Sequence, residues 1–412
     1  MDKRTRDEGP IRLVTPRAEL ERVASDYLAH QAAGSFPLAG GIATVTADRY
    51  VDPDWFEREK QAIFRRLPLM VAPGCEIPRP GDYKTLDVAG VPILVVRGKD
   101  SRARAFLNAC THRGAAVAQG CGAASRFVCP YHGWTFDQKG ALAGIASGED
   151  FGPADKAQLG LKAFPTEERA GLIWTVLDPE SRLDIGDYLA GFDSLLGAFG
   201  FENWTFVETR ILKGPNWKLA FDAHLEFYHI PVLHRATFGP DQSNRALYYF
   251  WGPHQRLLTP GARTAGPVRG DLFDVADQPP QSWPTDAMML GEWIIFPGIS
   301  INSFHDGGRG VFLSQVFPGA HVGESITVQS YLAAAAPDEA TREKIHQRCD
   351  FLAHVVGDED LPTSFRQQQA LATGLLREVR FGRNEGGPQH FHSWVEKIVE
   401  ASDDALPGLF GN

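Results

Sequence analysis

"ACTHRGAAVAQGCGAASRFVCPYHGWTFD", residues Ala109–Asp137, sets a Cys-x-His pair, Cys110 and His112, against a Cys-x-x-His pair, Cys129 and His132. Two soft thiolates and two harder imidazoles on two short loops are a ligand set for metal, and a zinc site can be built from the same four. Three details favour a [2Fe–2S] cluster in which His replaces Cys on one iron. Each pair splits as Cys then His, so each loop can reach each iron. Small or turn residues follow both, in "HRGA" and "HGW", which lets backbone N–H groups approach the sulfides. Each pair also lies between predicted strands instead of opening a helix. Trp134 reads either as a cover for the cluster or as an ordinary core tryptophan. Cys75, Cys121 and Cys349 read as plain small apolar or loop residues.

The texture around these loops is all-β. From Leu69 to about Leu177, runs such as "YKTLDVAG", "VPILVVR" and "GLIWTVLD" are separated by Gly and Pro. Before them, 15–33 reads as a helix capped by Thr15, with Leu20, Val23, Tyr27 and Leu28 on one face. A second helix is expected at "DPDWFEREKQAIFRRL", with Asp52 as cap and Pro53 in its first turn. After them, "DYLAGFDSLLGAFGFENW" reads as a short helix and linker. The remainder alternates: a strand at "TFVETRILKGP", a helix at "NWKLAFDAHLEFYHI", and antiparallel strands at "EWIIFPGISINSF", "RGVFLSQVFPG" and "ESITVQSYLAAA". Helices follow at "PDEATREKIHQRCDFLAHVV", "LPTSFRQQQALATGLL" and "HFHSWVEKIVEAS". The Pro- and Gly-rich segment 252–285 reads as one long loop that walls a pocket.

The bulk numbers limit the function. A chain of 412 residues suggests two or three domains. A formal net charge of −10 argues against nucleic acid or anionic membrane as partner. No apolar run approaches the roughly 20 residues that a bilayer requires. The start, "MDKRTRDEGPIRL", lacks the apolar core of a signal peptide. Five cysteines without a disulfide framework fit a reduced cytoplasm.

A fainter signal lies in "NWKLAFDAHLEFYHIPVLH", Asn216–His234. Glu226 and His229 are three apart and would share a helix face. His229 and His234 are five apart, and Pro231 between them should end or distort the helix and swing the second imidazole back. Two His and one carboxylate leave open positions on Fe(II) for dioxygen. A carboxylate could come from "GDEDLPTSFRQQQAL", where Asp358, Glu359 and Asp360 compete. In isolation this constellation is weak, since a His pair on an amphipathic helix is more often core or surface.

Taken together, the two segments resemble the catalytic (alpha) subunits of Rieske non-heme iron oxygenases, the aromatic-ring-hydroxylating dioxygenase family. The resemblance runs from about Trp55 to Trp394. It includes the "NWK" opening at Asn216–Lys218, the acidic-x-Tyr-His-x4-His motif at Glu226–His234, and Glu359-Asp360 ahead of a helix bearing Gln368. It implies an α+β architecture: a helical arm over 1–45, an all-β Rieske domain over 46–180, and a helix-grip (START/Bet v1-like) catalytic domain with an antiparallel sheet over 181–412. It implies that Cys110, His112, Cys129 and His132 hold the cluster, and that His229, His234 and Asp360 bind a mononuclear iron. Glu226 matches the acid that bridges His132 of one chain to His229 of the next, which implies a homotrimer or a multiple of three.

Several positions depart from the family's pattern. Ala115 and Tyr131 stand where high-potential Rieske proteins carry a disulfide, so the likeness is to the low-potential class. Glu226 replaces the commoner Asp, as in some relatives that act on quaternary ammonium compounds. Asp222-Ala223-His224 replaces Glu-Asn-Phe. Asp222 falls on the helix face of Glu226, either as a further acid of the site or as a salt-bridged residue, and His224 is read as structural.

The implied activity is that of a terminal oxygenase component. It uses O2, with electrons from NAD(P)H delivered by a flavin reductase or ferredoxin, to hydroxylate a small organic, aromatic substrate. Rival readings are an oxidative N-/O-demethylase or quaternary-amine monooxygenase of the same family, and an electron carrier with an inactive C-terminal domain. "AGVPILVVRGKD" is no nucleotide-binding fingerprint. Phe296, Ile299, Ile301 and Phe304 are candidates for the pocket wall, or equally core strand positions.

Overall fold

In the computed structural model the described residues are 15–259, 272–305 and 308–410. The first half is built from short antiparallel strands, as the Gly/Pro punctuation requires. A five-stranded sheet runs in the order Ala163–Phe164, Ala103–Leu107, Val91–Arg97, Asp82–Val88, Cys121–Ala123. A three-stranded sheet joins Thr166–Arg169, Leu172–Val176 and Pro68–Pro73, and another joins Arg126–Val128, Thr135–Asp137 and Leu142–Gly144. The strand "VPILVVR" is apolar on both faces because it is covered on both.

The second half is organised by a seven-stranded antiparallel sheet, in the order Thr205–Gly214, Ser325–Ala333, Arg309–Pro318, Ile299–His305, Glu292–Ile295, His254–Leu258, Leu247–Trp251. The helices Glu339–His354, Leu361–Ala372 and Gly386–Glu400 belong to this half. The apolar face of the first of them meets Phe312 and Tyr331 of the sheet through Ile345 and Cys349. Mixed helix with antiparallel sheet is the expected α+β class.

Two cores result. A small one gathers Leu94, Val96, Phe106, Phe127 and Phe136 around Cys110, Cys129 and Trp134. The large one runs through both halves, from Met70 and Trp174 to Trp217 and Ile294. Buried polar bonds tie the halves as well: Gln315 Nε2 donates to Met70 O at 2.7 Å. Trp217 and Lys218 both donate to Glu59, which is fully buried.

The predicted helices at 15–33 and 52–67 are present. Thr15 Oγ1 accepts from Ala18 N at 3.3 Å and opens Pro16–Ala33, which buries Leu20, Val23 and Tyr27. Arg17 of that helix donates to Pro280 O and Trp283 O, so the helix packs on the second half of the chain. Asp52 accepts from Asp54 N and Trp55 N and opens Pro53–Glu59, which continues as a π-helical turn, Lys60–Arg65.

Four expectations are corrected. The helix expected over 216–230 is Trp217–Asp222 with one 3-10 turn, and it stops before Glu226, whose backbone is extended. "EWIIFPGISINSF" is two strands, because Pro297-Gly298 cannot continue the ladder and turns the chain. The 252–285 loop contains the strand His254–Leu258 and several short turns, and its residues 260–271 lie outside the described ones. The short helix and linker expected at 187–204 are two short helices, Ile185–Leu189 and Phe192–Leu196, and the linker part is core: Tyr188 packs on His254, Phe192 and Phe199 on Trp293, and Phe201 on Phe199 and Trp204. The opening segment read for a signal peptide lies outside the described residues. No described helix is long and apolar enough to cross a membrane.

Candidate active site

The two Cys/His loops repeat one device. Gly114 N closes a turn onto Cys110 O at 2.7 Å, and Gly133 N closes one onto Cys129 O at 3.0 Å. Both glycines are left-handed, with φ of 79° and 69°, which is why "HRG" and "YHG" need glycine there. The turns bring the rings of His112 and His132 to 4.7 Å between centroids, over the buried Cys110 and Cys129. Trp134 lies under His112, stacked at 5.0 Å and 10°. It is a core residue that also touches a candidate ligand. Tyr131 packs on His132 and is exposed, and Ala115 O accepts from Cys110 N, so neither position holds a disulfide.

The donor set fits an iron–sulfur cluster. The Nδ1 atoms of His112 and His132 are buried without a hydrogen-bond partner. An inward imidazole nitrogen with no donor or acceptor facing it is costly unless a metal takes its lone pair. Burial pushes the Cys110 thiol up, against the His112 backbone N–H and together with the adjacent Cys129, and a bound cation would favour the ionised sulfur there.

The second site assembles from two parts of the chain. His229 precedes the short helix Ile230–Leu233, and His234 ends it. Pro231 sits in that helix's first turn, so it starts a helix instead of breaking one. The carboxylate comes from the junction of the π-helical turn Val355–Asp360 with Leu361–Ala372. Ligand atoms of His229, His234 and Asp360 lie within 4.8 Å of one another, the one such group of three among the described residues. Asp360 Oδ1 is 3.1 Å from His234 Nε2 and 3.9 Å from His229 Nε2, and it is buried without a hydrogen bond. That orphaned oxygen and two inward Nε2 atoms fit a small cation of the iron type.

The competing acids are separated by their contacts. Asp358 is exposed and takes His354 Nδ1 at 2.6 Å. Glu359 bonds to His234 Nδ1 and accepts Thr237 Oγ1–H. Burial opposes charge on His234, but Asp360 and Glu359 outweigh it and raise the imidazole's pKa.

Glu226 is not held by a helix face. Its extended backbone starts a turn in which Oε2 accepts from Tyr228 N and His229 N, while Oε1 meets His229 Nδ1. With His229 and Asp360 it lines a cavity of about 590 Å³ that also takes in Asp222 and Glu385. Burial pushes the Glu385 carboxyl up, against the Gly382 N–H that it accepts, and Glu226 and Asp222 push it further. Asp222 shares the cavity but not a helix face with Glu226, and it is paired: it accepts from Tyr50 Oη at 3.1 Å and meets His392 Nε2 at 2.8 Å. His224 reaches Glu292 at 3.2 Å, in keeping with a structural role. Phe296, Ile299 and Ile301 are core residues, Phe304 packs beside Phe312, and none of the four lines the cavity.

Sequence reasoning missed what anchors Asp360. Gln368 Oε1 accepts from Asn216 N at 2.6 Å, and Ser364 Oγ donates to Leu219 O, so Leu361–Ala372 is tied to the segment leading to the histidines. The paired occurrence of "NWK" and the Gln-bearing helix was the signal.

Known proteins share both parts of the chain. The family model for the Rieske [2Fe-2S] domain matches residues 68–157, and that for the ring hydroxylating alpha subunit (catalytic domain) matches residues 201–401. The chain is 37% identical over 357 residues to the 2-aminobenzenesulfonate 2,3-dioxygenase subunit alpha of Alcaligenes sp., covering 82% of this chain and 87% of that one. The chain belongs to the Rieske oxygenase alpha subunits. Within that family it is 34% identical over 376 residues to the carnitine monooxygenase oxygenase subunit of Escherichia coli K12, covering 87% and 94% of the two chains. It is 36% identical to the glycine betaine monooxygenase oxygenase subunit of Pseudomonas aeruginosa, but that match spans only 43% of the relative's length. The fold is shared with the quaternary ammonium Rieske monooxygenase CntA, with a TM-score of 0.73 over 91% of this chain and 98% of that one, at 24% identity.

Proposed function

We propose that this chain is a terminal oxygenase component that uses O2 and electrons from a NAD(P)H-linked reductase or ferredoxin to hydroxylate a small organic substrate. In this reading Cys110, His112, Cys129 and His132 hold a [2Fe–2S] cluster, and His229, His234 and Asp360 hold a mononuclear iron. The Rieske part lies within 46–180 and the catalytic part within 181–412. The cluster supplies single electrons, and iron in an open two-His, one-carboxylate site supplies dioxygen activation. The protein's own work is to fix tautomers, exclude water and connect the sites.

The observation that carries the reading is the convergence of His229, His234 and Asp360 with Glu226 on His229's outer nitrogen. One oxygen of Glu226 serves His229, and its carboxylate borders the cavity, where an imidazole N–H from another subunit can meet it. Supporting a subunit-to-subunit contact are the exposed Tyr131 beside His132 and the exposed Tyr228 and Val232 beside His229. A ring of such head-to-tail contacts, most simply a homotrimer, satisfies every site in turn. Metal analysis tests it: two irons of the cluster plus one of the triad for an oxygenase, the cluster's two alone for a carrier.

Quaternary-amine oxidation is the second reading. Glu226 in place of Asp, together with relatives named for carnitine and glycine betaine monooxygenation, favours it. Turnover with labelled dioxygen separates the outcomes: one labelled oxygen retained in a monooxygenated product, two in a diol.

A further inference from the structure

We propose that Glu359, braced by Thr237, is the positioning residue that makes His234 a metal ligand. This rests on the reading of His229, His234 and Asp360 as an iron site. His234 is buried, and consecutive residues of the chain take the opposite nitrogens of its ring: Glu359 meets Nδ1, and Asp360 lies 3.1 Å from Nε2. Consecutive side chains on a regular α-helix diverge by about 100°. Here the pair closes the π-helical turn Val355–Asp360 and straddles one imidazole. π-turns are uncommon and concentrate at functional sites.

Glu359 is itself held. Its second oxygen accepts the Thr237 hydroxyl, and Thr237 N donates to His234 O at 3.1 Å. The circuit from His234 through Glu359 and Thr237 back to the His234 backbone is therefore closed. A carboxylate on Nδ1–H fixes the tautomer, leaves the Nε2 lone pair pointing at Asp360, and makes the ring a stronger donor.

Glu226 does the same for His229 but borders the cavity, whereas Glu359 does not. The two carboxylates thus divide the work: Glu226 borders the cavity and braces His229, and Glu359, held by Thr237, braces His234. Glu359→Gln, which keeps size and loses charge, should weaken metal binding, and Thr237→Val should do so less.

The test is anaerobic competition of the full-length protein for Fe(II) or Co(II) against a chromophoric chelator, with the cluster's visible absorption as the fold control. The expected result is about a 10- to 100-fold loss of affinity for Glu359→Gln and a smaller loss for Thr237→Val. If Glu359→Gln loses its cluster, Thr237→Val decides alone. Affinities equal to wild type in every variant that keeps its cluster overturn the inference. A wild-type protein that binds no more metal than His234→Ala overturns the iron reading beneath it, and the two failures are told apart by that control.

Discussion

At Glu226 the backbone is extended, and that one conformation decides how the site is wired. A helical Glu226 would have reached His229 from one turn away. The extended residue instead folds its carboxylate over the next three residues and takes two backbone N–H groups as well as the imidazole. Glu226→Gln should therefore keep both metals and the fold yet stall electron delivery, seen as single-turnover reduction of the iron falling by orders of magnitude while the cluster still reduces. His234→Ala should keep the cluster's absorption and abolish turnover. Residue types and spacing made these side chains candidates, and the family resemblance gave them their roles. Their geometry was not legible, because the choice between a helical and an extended Glu226 depends on tertiary contacts. Similarly, nothing local separated Asp358, Glu359 and Asp360; only the approach of His234 and His354 does so.

The helix Trp217–Asp222 shows what positions the site at the level of elements. Its Lys218 is fully buried and paired with Glu59, which also accepts both Trp55 Nε1 and Trp217 Nε1. Burial lowers the pKa of Lys218, and Glu59 opposes that shift. Removing one partner leaves the other charge buried and alone, which typically costs 3–5 kcal/mol. Lys218→Met should thus lower the urea midpoint by an amount corresponding to about 3–5 kcal/mol, with turnover per folded chain falling less than stability. Caps at Thr15 and Asp52 made helix starts readable, because each is a local side-chain bond. The hairpin at Pro297-Gly298 has its signal in those turn residues, inside a longer apolar run that reads as one strand. The π-turns were not readable, since they answer to packing and not to local sequence.

Across the whole molecule, histidines held neutral by their surroundings should weaken the fold on the acid side. His254 Nε2 meets Tyr188 O at 3.0 Å, and its Nδ1 accepts from Phe296 N, so the neutral ring is fixed between two halves of the core. Burial depresses His254 from 6.5 to about 4, and burial does the same to His390. The unfolded chain then binds more protons between those values. The histidines' contribution is complete above pH 6.5 and is lost as pH falls toward 4, about 3 kcal/mol for His254 alone. Denaturant midpoints measured from pH 7 to pH 4 should fall along that window, and less steeply in His254→Asn. Texture separated an all-β stretch from a mixed remainder and the family resemblance implied the α+β class, whereas the polar bonds that weld the parts, such as Gln315 to Met70, left no sequence signal.

The central claim is that one chain's cluster serves another chain's iron through Glu226. Co-expression of two inactive chains, His112→Ala and His234→Ala, tests it most directly. Random assembly in equal amounts should restore about a quarter of wild-type turnover per chain, because that share of protomers pairs an intact iron site with an intact neighbouring cluster. Mixed assemblies that carry both metals and show no turnover would contradict the claim.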